Sequence, residues 1–118
     1  MELALPIHTC LGLSIEMLLK AVFLGRGGDA ATLKKREVRH DLKELRDLLR
    51  DQGYTITSSG VDAIIDHIGD NYAAHEYRYM RTNATLQRVN VPLAVPSIQA
   101  FVDEVAVELG YPIRPDPV

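Results

Sequence analysis

The sequence predicts an all-α protein, an up-and-down antiparallel four-helix bundle, and three observations carry that expectation. Apolar residues recur at three- and four-residue spacings over long stretches, and no stretch alternates with the period of two that a half-buried strand requires. Capping and stop residues bracket those stretches. The chain is 47% hydrophobic yet has five Tyr, two Phe and no Trp among 118 residues, so its core must be built mainly from aliphatic side chains. That length suits one domain. We expect it over residues 1–111, with the proline-rich 112–118 as an extended tail.

The first helix is expected from about Leu5 to Leu24, with Pro6 tolerated in its opening turn. Leu11, Ser14, Ile15, Leu18 and Val22 share one stripe, while Leu13, Met17 and Leu24 lie on another side. A helix apolar nearly all round is either central or shared with a partner chain. Cys10, the single cysteine, falls in this run and reads as a buried, inert thiol, which fits a reducing compartment. The run approaches the length of a membrane span, but Glu16 and Lys20 interrupt it. No basic leader or small-residue cleavage site accompanies it. The expectation is a cytoplasmic protein with no membrane association.

Gly25 ends that helix, and the connection 25–39 carries Arg26, Lys34, Lys35, Arg36 and Arg39. Asp41 and Glu44 then form a capping-box signature, with His40 at the staple position before Leu45. Leu42, Leu45, Leu48 and Leu49 give the second helix its core face, and Gly53 stops it. The third helix is expected from a Ser58 or Ser59 cap to about residue 80, along Val61, Ile64, Ile65, Ile68, Tyr72, His75 and Tyr79. Residues 82–95 read as a linker. The last helix is expected to open at Pro96-Ser97, to bury Ile98, Phe101, Val102, Val105 and Leu109, and to end at Gly110 and Pro112.

The net charge of −3 argues against a general nucleic-acid coat protein. There is no phosphate-binding glycine loop, no zinc motif, no nucleophile elbow, and nothing that calls for a cofactor or a metal. Three constellations remain. Glu16 and Lys20 stand one helical turn apart in the favourable acid-before-base order, either as a structural ion pair or as the polar lining of a groove. Tyr72, His75 and Tyr79 continue the apolar stripe of the third helix, while His67, Asn71 and Arg78 share a different face, on which His67 reads as solvated. On the stripe, the inward His75 imidazole is either a satisfied core histidine or part of a polar cleft. Finally, Lys34, Lys35, Arg36, Arg39 and His40 precede a helix N-terminus, where an anion is favoured but where Asp41 already sits.

Three pieces, in this order, resemble the HEPN domain of prokaryotes: LPIHTCLGLSIEMLLKAVFLG, RHDLKELRDLL and YAAHEYRYM. The resemblance spans about residues 5 to 80. It implies a helical bundle that forms homodimers and works in defence, toxin–antitoxin or nucleotide-related systems, with a nucleotidyltransferase-type or other protein partner in some cases. Many such domains are RNases with an Arg followed by four to six residues and a His, and that pattern is absent here. The resemblance therefore points to a non-catalytic module binding a nucleotide, RNA or protein. Its ligand residues would be Lys20, Arg36, Arg39, Tyr72, His75, Arg78 and Tyr79, with Glu16, Lys20, His40 and Asp41 as structural polar groups. Two alternatives stand beside it. One is a degenerate metal-independent RNase using His75 or His40 as base and Arg78 on the developing charge. The other is a purely structural dimerisation subunit.

Overall fold

The computed structural model describes residues 4–35, 38, 40–73 and 91–111. It is all-helical over those residues: α1 (Ala4–Gly25), α2 (Ala30–Leu33), α3 (Leu42–Asp51), α4 (Val61–Ala73) and α5 (Val91–Glu108). Leu11, Ile15, Leu19, Val22 and Phe23 of α1 share one core with Leu42, Leu45 and Leu49 of α3, Val61, Ile65 and Ile68 of α4, and Phe101 and Val105 of α5. Most of the stripe residues expected from helical spacing are the buried ones. Ser14 of α1 is exposed, however, and Val102, expected to be buried in the last helix, is 40% exposed because it lies beside Phe101 on the outer side of α5. Leu13, Met17 and Leu24 are exposed on the opposite side of α1.

The ends obey local chemistry. Gly27, Gly53 and Gly110 each take positive φ just past α1, α3 and α5. Each closes the same pair of bonds. For α5 these are Gly110 N–H to Val107 O and Tyr111 N–H to Ala106 O, which satisfy the last carbonyls as a Schellman motif does. Asp41 caps α3 by accepting from the Glu44 N–H at 3.0 Å. Only that half of the expected capping box is observed, because the Asp41 N–H bonds to Val38 O at 3.0 Å.

Several expectations are corrected. Cys10 is exposed rather than buried. Helical spacing sets it beside Met17 and Leu24, not beside Leu11 and Ile15. The connection after α1 contains the short α2, capped by Asp29 accepting from Ala31 N–H. Neither Ser58 nor Ser59 caps α4. Gly60, at φ +87°, stands directly before Val61, and the Ser58 hydroxyl bonds elsewhere. The last helix opens at Val91, not at Pro96, so residues 91–95 are helix and Pro96 lies inside it. Pro92 falls in its first turn, where a missing N–H costs nothing.

Orientation also departs from simple alternation. His40, before α3, meets Glu16 in the middle of α1, and Gln52, after α3, donates to Phe23 O near the end of α1. Thus α1 and α3 run parallel, because the connection between them travels back along α1. The shorter 52–60 link returns the chain antiparallel: Arg46 meets Asp62 and Asp66, and Lys43 meets Asp70. From Ser97 to Leu109, α5 passes Gly60, then the 54–58 segment, then Gly25. It packs over the end where α1 and α3 finish and α4 begins.

Candidate functional site

The carboxylate of Glu16 is the centre of the polar structure. It is 1% exposed, on a turn of α1 flanked by the buried Ile15 and Leu19. Three donors from three parts of the chain converge on it. Lys20 Nζ, one turn along α1, donates to Oε2 at 2.5 Å. The Tyr72 hydroxyl, from the far end of α4, donates to Oε1 at 2.6 Å. His40 Nδ1 lies 3.0 and 3.2 Å from the two oxygens.

Each arrival has a local cause. Gly12 lets Tyr72 in, since a Cβ there would overlap the Tyr72 ring. Its backbone forms the floor on which the ring lies. His40 reaches Glu16 because its backbone is left-handed, at φ +66°, the only positive φ of a non-glycine among the described residues. That conformation costs of order 1–3 kcal/mol and persists where surrounding contacts hold it. The imidazole expected at the staple position is thus engaged by the Glu16 carboxylate. Val38, 3% exposed, anchors the same segment.

Electrostatics follow from this geometry. Burial pushes the Glu16 carboxyl up, but the bonds from Lys20, Tyr72 and His40 outweigh burial and hold it below its ordinary value. A carboxylate that is ionised, enclosed and engaged by three donors is a poor general base. The Lys20 side chain, 19% exposed, and that of His40, 29% exposed, are the hub's openings to solvent.

Of the residues singled out from the sequence, Glu16, Lys20, His40 and Tyr72 come together, and Asp41 caps the helix beside them. Arg36, Arg39, His75, Arg78 and Tyr79 lie outside the described residues. His67 is on an exposed face, as expected. Lys34 and Lys35 are exposed. No group of three or more metal-ligating side chains occurs among the described residues.

Two further clusters escaped the sequence reading. Glu104 of α5 accepts from the Tyr54 hydroxyl, from Thr57 N–H at 3.0 Å, and from Ser58 through its N–H at 2.8 Å and its hydroxyl at 2.6 Å. It thereby clamps the link between α3 and α4. Nothing in an isolated Glu on a helix announces such a partner. Arg46, 9% exposed, bonds Asp66 at 2.7 Å and Asp62 at 3.2 Å across α3 and α4. Its signal was present: Arg46 shares the face of Leu42, Leu45 and Leu49, where a charge must find partners.

Among the described residues one helix, over Ile7–Gly25, is long and apolar enough to cross a membrane, and 44% of that window is buried within the protein. Compared with family models, curated proteins and solved structures, the chain finds no match in any of the three.

Proposed function

We propose that this chain is a non-catalytic, HEPN-like helical module whose work is assembly with a protein partner. The observation that carries the reading is the Glu16 carboxylate, 1% exposed and engaged by Lys20, His40 and Tyr72. Among the described residues, these four polar groups singled out from the sequence are engaged with one another. They fasten α1, the 38–41 segment and α4 into one frame. Of the positions on which the HEPN resemblance rests, Glu16, Lys20, His40 and Asp41 gather in one place, which supports the resemblance, while Arg78 and Tyr79 lie outside the described residues. A cytoplasmic defence or toxin–antitoxin setting, with a nucleotidyltransferase-type partner, belongs to the same proposal.

The test is incubation of the purified chain with a mixed RNA pool, alongside a melting-temperature panel of nucleotides and short RNAs. The expected result is intact RNA and no thermal shift, since a ligand that binds the native state must raise the transition. Cleavage that disappears in His40→Ala, with an unchanged fold, would overturn the proposal in favour of an RNase.

A further inference from the structure

We draw no further inference here: the strongest candidate, the outer face of α1 with Leu13, Met17 and Leu24 exposed along it, is an apolar surface for which nothing in the structure shows what covers it.

Discussion

Replacing Glu16 with Gln keeps the shape of the central side chain and removes its charge. The Tyr72 hydroxyl can still donate to the amide oxygen, but a bond to a charged acceptor contributes about 1.5–3 kcal/mol against about 0.5–1.5 for a neutral one. That change costs about 1 kcal/mol. The amide NH2 then faces Lys20, donor against donor, where an unsatisfied group costs about 1–3 kcal/mol. Lys20 is partly exposed and turns to water, which keeps this contribution low in its range. Together the loss is about 2–3 kcal/mol, or a fall of roughly 8–12 °C in the thermal midpoint for a chain of this length. Urea unfolding followed by circular dichroism measures it. A loss under about 0.5 kcal/mol, the size of an ordinary surface substitution, would refute the reading of Glu16 as the structural centre. The pH dependence supplies a second check. Glu16 has its carboxyl lowered from 4.5, so its contribution is present above that value and is lost as pH falls through the folded one. The gap between wild type and Glu16→Gln should be full near neutral pH and should narrow below about 4.5.

Gly12→Ala should destabilise by about 1–3 kcal/mol in urea titration, because the added methyl meets the Tyr72 ring, whereas an open helical glycine would gain about 1 kcal/mol from the same change. Arg46→Ala should cost about 1–3 kcal/mol by removing bonds to Asp62 and Asp66, with less than half recovered by a salt-matched Arg46→Lys that cannot reach both; thermal melts of the pair measure this. Glu104→Ala should speed amide exchange at Thr57 and Ser58 by roughly tenfold or more, the equivalent of about 1.4 kcal/mol, while leaving exchange in α1 little changed. In the wild type that protection should fade in acid. Burial raises the Glu104 carboxyl, but the bonds from Ser58, Tyr54 and Thr57 outweigh it and lower the carboxyl from 4.5.

The helices were legible because periodicity reports which side faces a core. Leu11, Ile15 and Val22 of α1, Leu42, Leu45 and Leu49 of α3, and Val61, Ile64, Ile65, Ile68 and Tyr72 of α4 were read that way and are buried, whereas Ser14, read into the same α1 stripe, is exposed. Glycine stops at 53 and 110 were legible because positive φ after a helix has a strong residue preference. The start of α5 was not. Pro96 looks like an opening residue, yet Ala94, 5% exposed, and Phe101, fully buried, draw the preceding turns into the core and hold the helix through it. The hub was half legible. Glu16 with Lys20 is a local pattern that spacing reveals. The capture of His40 depends on a left-handed backbone at a residue that is not glycine, and that of Tyr72 on a gap opened by Gly12 some 60 residues away. Direction was the least legible property. Nothing in the composition of residues 26–41 says that the chain doubles back along α1 before α3 begins.

The seating of α5 over the end of α1 has a bearing on how the protein is made. Arg26 holds Glu108 at 2.9 Å, and Leu109 packs against Gly25. Of the described helices, the one that leaves the ribosome first is thus completed by the one that leaves last. Until residue 109 has cleared the exit tunnel, Val22 and Phe23 lack the Phe101 and Val105 side of their core. Synthesis at about 5–20 residues per second leaves that apolar end bare for several seconds. A nascent chain stalled at residue 95 should be digested by a protease that spares a chain in which α5 has fully emerged and is seated, and such an interval is one in which a chaperone would find this protein.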